Sequence, residues 1–167
     1  MESTATKYTI ISPKDIRIKG VRAEDIVGIH SLLKIEGCKD GENLFTDKQE
    51  IVALDAVQIH RASINRTNIE PSMDMLFCVY RNKILLAEAK FRVANIKNIS
   101  KREIDSKITS SRYLVEDEDF QIMPTIYLLF SSTTLTPARI NELKRIFLSS
   151  PNYQFKTAVD FYNLFEH

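Results

Sequence analysis

The chain has 167 residues, of which 44% are hydrophobic and 27% charged, with a formal net charge of +1. That is enough for one well-buried domain and too little for a second independent core. No apolar run approaches the roughly 18 residues that a membrane span needs, and the polar start carries no signal-peptide core, so a cytoplasmic protein without a membrane partner is expected.

Glycine and cysteine usage narrows the chemistry. Gly20, Gly28, Gly37 and Gly41 are the whole glycine complement, whereas phosphate-cradling loops and the nucleophile elbow need glycines at set spacings. P-loop, dinucleotide-binding and α/β-hydrolase chemistries are therefore set aside. Cys38 and Cys78 make no disulfide framework, and His30, His60 and His167 are too far apart in sequence for a zinc motif.

In chain order, residues 8–19 alternate loosely (Tyr8, Ile10; Ile16, Ile18) and read as one or two strands broken at Pro13. From about Ala23 to Ile35 the spacing of Ile26, Val27, Ile29, Leu32 and Leu33 predicts a helix, weakened by Gly28. Residues 37–43 are a loop signal. Residues 1–43 thus read as an N-terminal extension packed on a core at 44–150, with a C-terminal helix in 151–167, all in one domain. Thr46-Asp47-Lys48-Gln49 fits a capping box, and Ile51, Leu54, Val57 and Ala62 predict a helix over 47–61.

Residues 73–80 and 84–92 are β-rich apolar runs separated by Arg81, Asn82 and Lys83, which predicts a hairpin. Its charges are the anomaly, because a strand this apolar is buried on both faces and burying an unpaired charge costs several kcal/mol. Alternation puts Glu88 and Lys90 on one face. With a three-residue loop Tyr80 pairs with Ile84, and Asp74 falls opposite Lys90 on Glu88's face; a two-residue loop would turn Asp74 away. Asn82 tolerates the positive φ that a three-residue loop wants, so the three-residue loop is expected.

Further on, Ser100-Lys101-Arg102-Glu103 is a second capping box, opening a helix with Ile104, Ile108, Ser111 and Val115 on one face. Residues 123–130 predict a buried central strand. Thr136 caps and Pro137 starts another helix striped by Ile140, Leu143, Ile146 and Phe147, which Pro151 ends. Residues 157–166 suit a last helix. Between Arg81 and Arg112 nine basic residues face three acidic ones, a net +6 that leaves −5 for the remainder. Such a segment can concentrate a phosphate polymer or simply form a solvated face. Glu116-Asp117-Glu118-Asp119 reads as an exposed acidic loop.

Asp74, thirteen residues, then Glu88-Ala89-Lys90 on the second strand of a hairpin resembles the PD-(D/E)xK nuclease superfamily over roughly residues 45–150. Pro71 stands three residues before Asp74. The resemblance implies a restriction-endonuclease-like α/β fold, a central mixed β-sheet flanked by α-helices. It implies a Mg²⁺-dependent nuclease hydrolysing phosphodiester bonds, DNA ahead of RNA, with a homodimer as one assembly. Asp74 and Glu88, with the carbonyl of Ala89, would hold Mg²⁺ (Mn²⁺ substituting), and Lys90 would sit by the attacking water and scissile phosphate. The preceding helix would bring an acidic residue to the metal, with Glu50 ahead of Asp55. A first strand would lie between that helix and Asp74, where residues 64–69 carry little strand pattern. Lys97, Lys101, Arg102 and Lys107 are the candidate nucleic-acid contacts. Two other readings compete: a catalytically silent nuclease-fold protein acting as a binding, immunity or regulatory module, and a plain surface ion pair on an α/β domain, worth about 0–1 kcal/mol.

Overall fold

The computed structural model describes residues 7–39, 44–115, 119–148 and 152–167. Among them, six strands form one mixed sheet whose spatial order follows the chain. β1 (Ile26–Gly28), β2 (Glu50–Ala53), β3 (Met75–Val79) and β4 (Lys83–Ala89) are antiparallel in succession. β5 (Gln121–Phe130) and β6 (Tyr153–Thr157) continue parallel to β4. The helices are α1 (Ile29–Ile35), α2 (Leu54–Asn65), α3 (Lys101–Leu114), α4 (Pro137–Ile146) and α5 (Ala158–Tyr162). The protein is thus α/β, a six-stranded mixed sheet flanked by helices, and among the described residues no helix is long and apolar enough to cross a membrane.

The strand period sorts side chains into two layers. Leu76, Cys78, Ile84, Leu86, Ile126 and Leu128 face one core, covered by Val57 of α2, Ile104 and Ile108 of α3 and Leu143 of α4. Met75, Phe77, Leu85, Ala87, Tyr127 and Leu129 face the other, under Ile29 and Leu33 of α1, Phe161 of α5 and Phe165. β3 is buried at every position because it is covered on both faces, and each fully buried Leu, Phe or Met contributes about 1.5–3 kcal/mol. The caps of α3 and α4 form as expected: the Ser100 hydroxyl accepts from the Glu103 N–H, and the Thr136 hydroxyl accepts from the Arg139 N–H with Pro137 opening the helix.

Elsewhere pairing overrides local pattern. Residues 23–35 are not one helix: a 3₁₀ turn at Ala23–Asp25 and β1 precede α1. Thr46 does donate its N–H to the Gln49 side chain (3.0 Å), but this closes a turn ahead of β2, not the helix expected over 47–61. Ile51 and Val52 are both wholly buried, in opposite cores, which a strand allows and one helix stripe does not. Helix α2 therefore starts at Leu54. It runs to Asn65, with Arg66 left-handed beyond it, so no strand occupies 64–69 and β2 is the strand beside β3. The hairpin loop has three residues, as expected, but they are Tyr80, Arg81 and Asn82, with φ of 69° at Arg81 and 56° at Asn82. Val79 pairs with Lys83 and Met75 with Ala87, so the register brings Asp74 beside Glu88 and not opposite Lys90; the parity, and hence the shared face, is unchanged. β4 ends at Ala89, short of residue 92 where the apolar run ends.

At the two ends, Tyr8 and Ile10 form isolated bridges to Phe165 and Val79 in place of strands. Residues 153–157 are an edge strand that the helical reading of 151–167 missed, and α5 is shorter than expected. Pro151 and Glu116, Asp117 and Glu118 of the acidic run lie outside the described residues.

Candidate functional site

Glu88 is wholly buried near the end of β4, on the face covered by α2 and α3. Its Oε2 accepts a hydrogen bond from the Lys107 ammonium at 2.7 Å and lies 3.9 Å from the Lys90 ammonium. Its Oε1 is buried and receives no hydrogen bond from a donor, but the Asp74 carboxylate is within hydrogen-bonding reach and accepts from Glu88 when Glu88 is protonated. Burial first, then the Asp74 carboxylate beside it, pushes the Glu88 pKa up to about 8, against the opposing pull of Lys107. Asp74 lies one residue before β3, and its Oδ2 accepts the Ala89 N–H at 2.8 Å. That contact ties the two hairpin strands together where the register ends.

Two further carboxylates come near. Asp55, in the first turn of α2, accepts from the Ser72 hydroxyl at 3.0 Å, and burial followed by Asp74 raises its pKa despite that bond. Glu36, just past α1, is raised by burial, then by Asp74 and Asp55, with Arg92 and Lys107 opposing. Burial works against the Lys107 ammonium, but the Glu88 bond and charge, with Asp74 and Asp55, outweigh it and raise its pKa. The Met73 N–H donates to the buried Ser111 hydroxyl of α3 (2.8 Å), fixing the segment that delivers Asp74.

Of the residues expected from sequence, Asp74, Glu88, Ala89 and Lys90 come together. Ala89 meets Asp74 through its N–H, the donor side of its backbone, whereas a carbonyl ligand was expected. Glu50 is displaced. It lies at the far end of β2, paired with Lys14 at 2.8 Å and hydrogen-bonded to Ser12 at 3.0 Å. Because α2 begins later than its capping pattern implied, the early-helix carboxylate is Asp55. The expected basic face also divides. Lys97 and Arg102 are exposed, Lys101 is paired with Asp105 at 2.7 Å, and Lys107, about 120° around α3 from Lys101, points at Glu88. Lys107 sits on the same stripe as Ile104, Ile108 and Ser111, and a lysine inside a buried helical stripe is a sequence signal for a buried acidic partner.

Among the described residues no group of three or more His, Cys, Asp or Glu side chains is arranged to hold a metal ion. What the site offers is the Asp74 and Glu88 pair, with one buried oxygen that receives no donor. Carboxylate oxygens are the donors Mg²⁺ prefers, and that ion keeps several waters of its own, so this pair fits as a half-shell. No family model matches the chain, and neither a curated protein nor a solved structure does.

Proposed function

We propose that the protein is a Mg²⁺-dependent nuclease that hydrolyses phosphodiester bonds, with DNA as the first substrate to test and a restriction-endonuclease-like arrangement of its α/β sheet. The observation that carries this reading is the close carboxylate pair, buried Glu88 beside Asp74, with no donor to Glu88 Oε1. Two carboxylates this close share a proton or a cation, and a dication held between them relieves their repulsion when both are ionised. Asp74 and Glu88 would hold the ion, which when bound polarises a phosphoryl oxygen and lowers the pKa of a bound water. Lys90 supplies positive charge at the mouth of the same pair, where charge on phosphate grows in the transition state. Lys107 holds the Glu88 carboxylate in place from the α3 side.

A second reading has its own observation. Lys107 already compensates Glu88 from within the protein, which suits a catalytically silent nucleic-acid-binding module. Incubation with labelled single-stranded DNA, duplex DNA and RNA in Mg²⁺, Mn²⁺ or EDTA separates them. Cleavage that EDTA abolishes, and that Lys90→Ala slows with little change in affinity, supports the nuclease. Binding without cleavage supports the silent module, and neither binding nor cleavage refutes both.

A further inference from the structure

A groove of about 490 Å³ runs between α2, α3 and residues 67–70, with Arg61, Asn65, Asn68, Glu70, Ser110 and Tyr113 among its lining. That volume is within the roughly 300–1,000 Å³ of small-ligand sites. Its walls are the two helices that reach the carboxylate site. On α2, Asp55 shares one stripe with Gln58, Ala62 and Asn65, and on α3 Lys107 is followed by Ser110 and then Tyr113. At the helical rise, Tyr113 lies about 9 Å beyond Lys107 along the axis and about 120° around it.

The groove's chemistry is that of a base-binding site. Tyr113 is 70% exposed, and the Arg61 guanidinium lies over its ring at 5.1 Å from the centroid. An aromatic face braced by a cation and left open to solvent is a stacking platform. Gln58, Asn65 and Asn68 bring amide donors and acceptors to the edge of whatever stacks there, and Glu70 adds an acceptor that suits a ring imino or exocyclic amino N–H while disfavouring phosphate. Among the lining residues Arg61 is the one permanent cation, which fits one flanking phosphate better than a duplex backbone.

We propose that this groove takes an unpaired nucleobase of the strand that is cleaved, and that single-stranded nucleic acid is the substrate class. The inference rests on the nuclease reading. A base locked in a duplex has no free face to offer Tyr113, whereas an unpaired one stacks without an unpairing cost.

The test uses the full chain in EDTA with a fluorescein-labelled oligothymidylate, the same oligonucleotide annealed as a duplex, and a version carrying 5-iodouracil. Tyr113→Ala should bind the single strand roughly 5- to 100-fold more weakly, the range for loss of one base stack. Tyr113→Phe should bind normally, and photocrosslinks from 5-iodouracil should map to Tyr113 or its groove neighbours. Because Tyr113 is exposed, its replacement spares the core, which an unchanged melting temperature verifies. Unchanged affinity in Tyr113→Ala, crosslinks elsewhere, or equal Tyr113 dependence on duplex would overturn the groove. Cleavage by the wild type together with any of those results overturns the groove alone. Tyr113-dependent binding without cleavage in Mn²⁺ overturns the nuclease and keeps the base site.

Discussion

Replacing Glu88 with Gln should shift the stability of the metal-free protein progressively in the variant's favour as pH rises. Glu88 is wholly buried, and burial with Asp74 lifts its pKa from 4.5 to about 8. With the folded pKa above the unfolded one, the folded chain holds the proton more tightly, so the stability this group lends is fully present below about 4.5 and is lost as pH rises through about 8. At ~1.4 kcal/mol per pH unit, the complete loss is roughly 5 kcal/mol. Gln has the same shape, cannot ionise, and offers Lys107 a carbonyl in place of the carboxylate. The stability gap between variant and wild type should therefore widen by roughly 4 kcal/mol between about pH 5 and about pH 9. Urea unfolding followed by circular dichroism in EDTA measures it. Titrating groups that do not interact with Glu88 are common to both proteins and cancel in the difference. A gap that is constant with pH, or that closes as pH rises, would refute the buried-carboxylate argument. Added Mn²⁺ should restore the wild type at high pH by mass action and leave Glu88→Gln unmoved.

The other expectations concern the ion, the basic residues and the segment before Asp74. Wild-type protein should bind Mn²⁺ weakly in calorimetry, because two carboxylates alone hold a dication poorly, and Asp74→Asn should abolish that heat; equal binding by the variant would remove Asp74 from the site. Lys97→Ala and Arg102→Ala should each flatten the salt dependence of nucleic-acid binding by about one unit of slope per lost phosphate contact. Lys101→Ala should not, since Asp105 already holds that ammonium; a slope changed only by Lys101→Ala would reverse the assignment. Ser111→Ala should cost about 1–3 kcal/mol in thermal or urea unfolding, because the Met73 N–H is left buried without an acceptor. A neutral result would show that the segment finds another partner.

Much of the candidate site was legible because it is local. A β-hairpin places residues by alternation and loop parity alone, so the shared face of Asp74 and Glu88, and the nearness of Lys90, followed from residues 74–90 without knowledge of the rest of the chain. The caps at Ser100 and Thr136 were legible for the same reason, each being satisfied within four residues. The loop fell one residue earlier than expected because Arg81 as well as Asn82 accepts the left-handed conformation, a choice worth too little locally to read from side-chain preference.

What needed the tertiary structure is everything decided by a distant partner. Residues 50–53 carry a helix-start pattern, yet pairing with β1 on one side and β3 on the other makes them a strand, and that shift exchanges Glu50 for Asp55 near the Asp74 and Glu88 pair. β6 exists because β5 offers it a parallel edge. Lys107 read as one of four basic residues on a helix until the packing of α3 on the sheet turned it towards Glu88. Hydrophobic burial and backbone pairing across the sheet outweigh local propensities of a few tenths of a kcal/mol per residue. The sequence by itself therefore determined which charges share the hairpin face, while the assembled sheet and helices decided which charges from elsewhere meet them.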